Sequence, residues 1–104
     1  MASNVLSTKQ GRFTATGVDQ VIFLEGQDVD KIKVVNLTDL TEYNKQKLDP
    51  GSSCLKTVAA GDTTLIVAAG DGIVLTEETN GTTVTIAAAL AVDTNEFQWF
   101  ANIN

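Results

Sequence analysis

Apolar and polar residues alternate with a period of two over much of the chain, as they do in half-buried β-strands. In residues 12 to 16, Phe13 and Ala15 share one side and polar residues occupy the other. Residues 21 to 24 form a short apolar run, and residues 31 to 37 begin by alternating lysine with aliphatic residues. The pattern therefore predicts a series of strands in the first part of the chain.

The clearest strand pair lies between residues 73 and 88, which centre on Asn80 and Gly81. An Asn-Gly pair tolerates the positive φ angles of a type I′ hairpin turn. Pairing Thr79 with Thr82 across that turn gives the hairpin one mostly apolar face and one face of threonine and acidic residues. The sequence therefore predicts a hairpin whose two turn residues are Asn80 and Gly81.

Two segments have patterns that fit more than one structure. Residues 39 to 48 begin with Asp39 and Glu42 at the spacing of a helix-capping pair, but a short twisted strand is also compatible. Residues 87 to 92 are apolar throughout, so they predict either a strand buried on both faces or a brief helical turn. The sequence leaves both choices open.

Turns and short strands alternate in the rest of the chain. Residues 49 to 53 contain the single Pro and predict a loop. The residues Ala-Ala-Gly-Asp occur at positions 59 to 62 and again at 68 to 71, so each copy predicts a turn, with residues 63 to 67 as a strand between them. Residues 97 to 101 predict a final aromatic strand.

Strands separated by short Gly- or Asp-containing turns are typical of all-β sandwiches and barrels. The length of 104 residues fits one domain. We therefore predict an all-β fold: a single antiparallel β-sandwich or jelly-roll-like barrel over residues 10 to 104. Residues 1 to 9 are polar and without periodicity, and they predict a short N-terminal arm.

The charges are distributed unevenly along the chain. All seven Lys and Arg residues lie within the first 56 positions, whereas residues 57 to 104 contain acids and no basic residue. The net charge is −6, which disfavours binding to nucleic acid or to an anionic membrane, because both depend on basic side chains. The distribution favours polarised docking on another protein.

Residues for catalysis and metal binding are scarce. There is no His, and the single residue Cys54 can form neither an internal disulfide nor a zinc site. Asp28 and Asp30 have calcium-loop spacing but lack the ligands that should follow, and Asp62 and Asp71 have the position of turn-capping residues. Adjacent glutamates at positions 77 and 78 would point to opposite faces of a strand. We therefore predict a non-enzymatic protein without cofactor or metal.

The chain begins without the pattern of a secretory signal, and no apolar stretch approaches the roughly 20 residues needed to cross a bilayer. We therefore expect a soluble protein that is made in the cytosol.

The order of motifs also suggests a family. Residues 11 to 17 read Gly-Arg-Phe-Thr-Ala-Thr-Gly, residues 31 to 39 read Lys-Ile-Lys-Val-Val-Asn-Leu-Thr-Asp, and a Thr/Gly-rich middle precedes the aromatic strand. This order resembles the small tailed-bacteriophage virion proteins of the head decoration or cement type. Many members carry a Trp-rich middle strand, whereas the matching region here, residues 42 to 45, reads Glu-Tyr-Asn-Lys.

The resemblance implies a virion structural protein, made in the host cytoplasm, that binds the major capsid protein on the outer capsid surface and stabilises the coat lattice. It also implies a small homo-oligomer, commonly a trimer, with no cofactor. Two alternatives remain: a phage fibre, spike or tail-accessory subunit, and a carbohydrate-binding β-sandwich module, which would need an exposed row of aromatic residues.

Five residues are candidates for contact with a partner. The lysines of residues 31 to 34 would share one solvated face. The terminal aromatic residues would either fill a core that is otherwise poor in bulky side chains or anchor a protein contact, with two rings on one side of the strand and one on the other. The candidates are Lys31, Lys33, Phe97, Trp99 and Phe100.

Overall fold

The computed structural model describes residues 7–67 and 70–103, and these residues form nine strands. Short turns and loops connect them, as the spacing of the sequence pattern predicts. In chain order the strands are β1 (Ser7–Thr14), β2 (Gln20–Glu25), β3 (Val29–Asn36), β4 (Thr41–Gln46), β5 (Cys54–Thr57), β6 (Thr63–Ile66), β7 (Ile73–Glu78), β8 (Gly81–Ile86) and β9 (Glu96–Ile103).

The strands form two antiparallel sheets that pack face to face. The large sheet has six strands in the order β1-β9-β3-β4-β5-β6, and the small sheet has three in the order β2-β8-β7. Consecutive strands pair in β3-β4-β5-β6 and in β7-β8, whereas β9 inserts between β1 and β3. The prediction of an all-β, antiparallel sandwich is confirmed.

The core lies between the sheets and is built mainly from aliphatic side chains. Its largest apolar side chain is Phe97, which is fully buried and stacks on Phe13 with ring centroids 5.0 Å apart. Phe97 therefore supplies bulk that the Ala- and Val-rich core would otherwise lack. The buried cluster consists of Ala15, Val29, Ile32, Val34, Tyr43, Cys54, Ile73, Val84, Ile86, Leu90, Ala91, Phe97, Ala101 and Ile103.

The first strand is longer than its alternation suggests. β1 begins at Ser7 and pairs with β9 along its whole length, so that Lys9 lies opposite Ala101. Residues 7 to 9 of the predicted arm therefore belong to the sheet, and residues 1 to 6 of that arm lie outside the described residues. The ladder with β9 supplies hydrogen bonds that the polar sequence of this segment does not reveal.

The predicted hairpin is confirmed, but its predicted register is wrong by two residues. Glu78 pairs with Gly81, so the turn consists of Thr79 and Asn80. Gly81 lies within β8 at a φ of 150°, where a Cβ would lie 2.3 Å from the backbone oxygen of Leu24. The glycine is needed for the close approach of β2, not for the turn. A shift of two residues leaves the predicted inner and outer faces unchanged.

Both open segments are decided by tertiary contacts. Residues 41 to 46 form β4, because β3 and β5 pair with it on either side. The segment from 87 to 92 is a brief helical turn, in which the N–H groups of Leu90 and Ala91 both donate to the oxygen of Ala87 at 2.9 and 3.0 Å. The first copy of the predicted Ala-Ala-Gly-Asp turn is also present, whereas Ala68 and Ala69 of the second copy lie outside the described residues.

Thr94→Asn should raise the free energy of unfolding by about 1 kcal/mol. Thr94 has a φ of 70°, a left-handed conformation that costs a β-branched residue roughly that much and that Asn adopts more readily. The N–H of Thr94 donates to the oxygen of Ala15 at 2.9 Å, and the substitution keeps this bond. Thermal unfolding should show a higher Tm, by about 4–8 °C per kcal/mol. Thr16→Asn, at an exposed residue without a positive φ, is the control and should leave Tm nearly unchanged. A lower Tm for Thr94→Asn would contradict the strain argument.

Candidate docking face

The fold sorts the charges by sheet. All but one of the basic residues lie in strands of the large sheet, and the exception, Lys47, lies in the turn that follows β4. The strands of the small sheet carry Glu25, Glu77 and Glu78 and no basic residue. The basic residues of the strands are thus confined to the large sheet, whose strands also carry the acidic residues Asp30, Glu42 and Glu96.

The outer face of the large sheet, called here the docking face, carries three of the basic residues: Arg12, Lys31 and Lys33. Because residues directly opposite in a ladder share a face, the pairings fix its composition. The central row runs across all six strands: Gln10, Phe100, Lys33, Asn44, Leu55 and Leu65. The row on one side contains Asn102, Lys31 and Gln46. The row on the other contains Arg12, Gln98, Val35, Glu42, Thr57 and Thr63.

The structure brings together three of the five predicted contact residues. Lys31, Lys33 and Phe100 line a shallow depression of about 670 Å³ on the docking face. Phe97 and Trp99 lie on the opposite face of β9, as the alternation predicts. Phe97 is fully buried in the core, and Trp99 is half-buried beside it.

The docking face carries three basic side chains, Arg12, Lys31 and Lys33, and two acidic ones, Glu42 and Glu96, so it is weakly basic. Lys33 forms an ion pair with Glu42 at 3.1 Å, and both side chains remain more than two-fifths exposed. Arg12 and Lys31 are exposed and form no ion pair with any residue that the structure describes. Their charges are therefore available to a partner.

Two leucines on this face were not among the predicted contacts. Leu55 and Leu65 are 42% and 55% exposed and lie opposite each other in β5 and β6. The alternation in the sequence groups Leu65 with apolar residues and suggests burial. It cannot show that Leu65 lies on the outer face of the large sheet, which the small sheet does not cover.

A loop between β4 and β5, residues 49 to 53, organises the contact between the sheets and is called here the inter-sheet loop. The side chain of Lys45 is buried beneath it, and its Nζ donates to the oxygens of Asp49, Gly51 and Ser53 at 3.0, 2.8 and 2.8 Å. Burial lowers the pKa of Lys45, while the carboxylate of Asp49 opposes that shift. Three donated hydrogen bonds require three N–H groups, so the geometry is that of the ammonium form.

The small sheet attaches to the other side of this loop. The N–H of Ile73 donates to the oxygen of Ser52 at 3.1 Å, and the preceding Gly72 lies directly against that carbonyl. Lys47 adds ion pairs to Asp28 and Glu77 at 3.0 and 2.6 Å. The hydrogen bond to Glu77 is the main reason that the pKa of Lys47 lies above its usual value.

Four of the chemical groups considered from the sequence are buried or make structural contacts. Cys54 is buried, and burial raises the pKa of its thiol. Asp28 and Glu77 pair with Lys47, and Glu78 accepts a hydrogen bond from Thr83. Within residues 7–67 and 70–103, no three Cys, Asp or Glu side chains converge to hold a metal ion.

The docking face is thus a broad sheet face with exposed basic groups, apolar side chains between them, and amides and hydroxyls around them. In the part of the chain that the structure describes, no helix is long and apolar enough to cross a membrane. Comparisons of the chain with protein-family models, with curated proteins and with solved structures found no match.

Proposed function

We propose that the protein is a structural component of a phage virion, of the head decoration or cement type, and that it binds an acidic region of the major capsid protein through the docking face. The observation that carries this proposal is the sorting of charge between the sheets. A chain of net charge −6 keeps three exposed basic side chains, Arg12, Lys31 and Lys33, on one sheet face.

The chemistry of the docking face suits a protein partner. Protein interfaces combine buried aromatic and aliphatic groups with a polar periphery, and Arg is enriched in them. Phe100 and Leu55 flank Lys33 and Asn44 in the central row, so apolar and hydrogen-bonding groups lie side by side on this face. Such a surface can gain free energy from apolar contact and orientation from charge.

The small sheet would then face solvent. Its outer side carries Thr76, Thr83 and Thr85 together with Glu25 and Glu78. Acidic surfaces repel one another, so this orientation would keep decorated particles dispersed at high copy number.

The carbohydrate-binding alternative receives less support. A sugar-stacking platform needs several exposed rings on one surface. Among the described residues, Phe100 is the one aromatic side chain on the docking face, and Phe23 lies separately on the outer face of the small sheet.

Charge reversal on the docking face should weaken capsid binding. We expect the double variant Lys31→Glu, Lys33→Glu to bind at least about tenfold more weakly, because each reversal would place like charges opposite each other in the interface. Binding would be measured by co-sedimentation with purified capsids of the encoding phage prepared without this protein, at two salt concentrations. Wild-type binding should weaken as salt rises.

Lys9→Glu is the matched control for this test. Lys9 is exposed in the same sheet, but it lies opposite Ala101 and so projects from the other face. The single variants Lys31→Glu and Lys9→Glu carry the same change in net charge. Only Lys31 lies on the docking face, so only Lys31→Glu should lose capsid occupancy. Equal occupancy of Lys31→Glu, of the double variant and of the wild type would refute the docking face. Saturable glycan binding in place of capsid binding would favour the carbohydrate-binding alternative.

A further inference from the structure

The strand β6 forms an edge of the large sheet, and three of its four residues are exposed, while Ile66 packs on the core. The strand pairs with β5 on one side and with no described strand on the other. Thr64 on the inner side and Leu65 on the outer side are both exposed, and Val67, just beyond the strand, is 70% exposed. A short edge strand that packs a single side chain on the core is poorly stabilised within one chain.

The edge is also unprotected against strand pairing. Natural proteins place charges on edge strands to prevent association, and the other edges follow this rule. β1 carries Lys9 and Arg12, β7 carries Glu77 and Glu78, and β2 ends in Glu25. Residues 63 to 67 read Thr-Thr-Leu-Ile-Val and contain neither a charge nor a proline.

The edge strand β2 differs from β6 in one respect that matters. Its residues alternate between half-buried and exposed, because Ile22 and Leu24 pack on the core while Val21 and Phe23 face solvent. β2 is therefore a normal half-buried strand. In β6, by contrast, Ile66 packs on the core and the other three residues are exposed.

We infer that β6 pairs with β6 of a second copy of this chain, in an antiparallel ladder around a twofold axis through Leu65. Directly opposite residues of an antiparallel pair share a face, so the axis of a symmetric pair must pass through a residue position. An axis at Leu65 places Leu65 opposite itself, Thr63 opposite Val67, and Thr64 opposite Ile66. Every residue in this ladder is uncharged.

Self-complementarity is the reason to expect a second copy as the occupant. Leu55 lies beside Leu65 on the outer face, so the pairing forms a continuous apolar stripe of four leucines, two from each chain. Two chains of net charge −6 repel each other over most of their surface, and this ladder brings no acidic residue opposite another. An isologous contact here also closes on itself and does not propagate into a fibre.

The twofold axis would stand perpendicular to the sheet and join two six-stranded sheets into one. Both docking faces would then lie on the same side of the dimer. Lys31 and Lys33 of the two copies would then face in the same direction, on either side of the shared leucine stripe. The dimer requires no capsid, so the inference is independent of the proposed function.

The oligomeric state in solution tests this inference. Light scattering on the full chain over a concentration series should give a mass about twice the 11.0 kDa of the monomer. Leu65→Lys places two ammonium groups opposite each other on the axis and should reduce the mass by half. Val21→Lys makes the same change at a side chain of similar exposure, 57% against 55%, on the edge strand β2, and should remain dimeric.

A cysteine on the axis gives a positive signal. Leu65→Cys places two thiols at directly opposed positions, whose Cα separation of about 4.5–5.5 Å suits a disulfide. Mild oxidation should then produce a covalent dimer on non-reducing gels, whereas Val21→Cys should not, and the buried Cys54 should not react.

Four results would overturn the inference: a wild-type mass of 11.0 kDa at all concentrations, the trimer mass that the resemblance implies, a dimer that survives Leu65→Lys, or a dimer lost on Val21→Lys. Near-ultraviolet circular dichroism of each variant would show whether it keeps the native fold.

Discussion

Gly72→Ala should destabilise the protein by about 4 kcal/mol. This is the largest effect that we expect from any substitution that changes a side chain of this protein by one methyl group. A Cβ at Gly72 would lie 1.8 Å from the backbone oxygen of Ser52 and 3.2 Å from the sulfur of Cys54. The obstructing atom belongs to the backbone and already accepts the N–H of Ile73, so it cannot move without breaking the link between the sheets. Urea unfolding followed by circular dichroism would measure the loss.

Gly11→Ala is the control for Gly72→Ala. A Cβ there would also be too close to its neighbour, at 2.7 Å, but the neighbour is the indole ring of Trp99, which is half-buried and can turn. We expect a loss of about 1 kcal/mol and a shift in tryptophan emission. If both variants lose the same free energy, the backbone contact at Ser52 is not the reason for the glycine at position 72.

Lys45→Met should destabilise the protein by about 3 kcal/mol. Methionine keeps much of the apolar stem but removes the ammonium, which leaves the oxygens of Asp49, Gly51 and Ser53 without their donor. A buried acceptor without a partner costs about 1–3 kcal/mol, and water can reach part of this loop because Gly51 is exposed. Thermal and urea unfolding would measure the change.

Lys31→Met is the matched control for Lys45→Met. Lys31 is exposed on the neighbouring strand β3, so the same substitution should change the free energy of unfolding by no more than about 0.5 kcal/mol. Equal and small effects of the two variants would show that the inter-sheet loop does not depend on the ammonium.

Both predictions concern the inter-sheet loop. Lys45 fixes the loop from the large sheet, and Gly72 and Ile73 attach the small sheet to its other side. Because the loop is anchored from within the core, its own sequence of small polar residues suffices to form the contact. The sandwich therefore depends on one polar anchor as well as on its modest apolar core.

The alternation identified most of the strands but not their partners. β2, β3, β7 and β8 correspond closely to the predicted segments, and the two sides of β9 were assigned correctly. The hairpin register was wrong because the sequence suggests a turn role for Gly81, whereas the crossing of β2 decides its place. A contact between residues distant in the chain leaves no local signal.

The same limit applies to the candidate contact residues: the sequence shows which face they occupy, but not which residues of other strands lie beside them. Lys31 and Lys33 were expected to share a solvated face, and they do. Their proximity to Phe100, Leu55 and Leu65 follows from strand order, which places β9, β3, β4, β5 and β6 side by side. The burial of Lys45 could not be foreseen, because a lysine in an alternating strand is normally a sign of solvent exposure.

The sequence by itself determined the fold class, the alternation of faces, the excess of acid and the confinement of basic residues to the first 56 positions. Only the tertiary structure decided that these basic residues belong to one sheet, because β9 inserts between two of the strands that carry them and β2 leaves for the other sheet. It also decided that three of the four residues of β6 are exposed, since a sheet of three strands covers only part of a sheet of six. Local sequence patterns show which face of a strand a side chain occupies, whereas the pairing of strands that are distant in the sequence determines which residues it contacts.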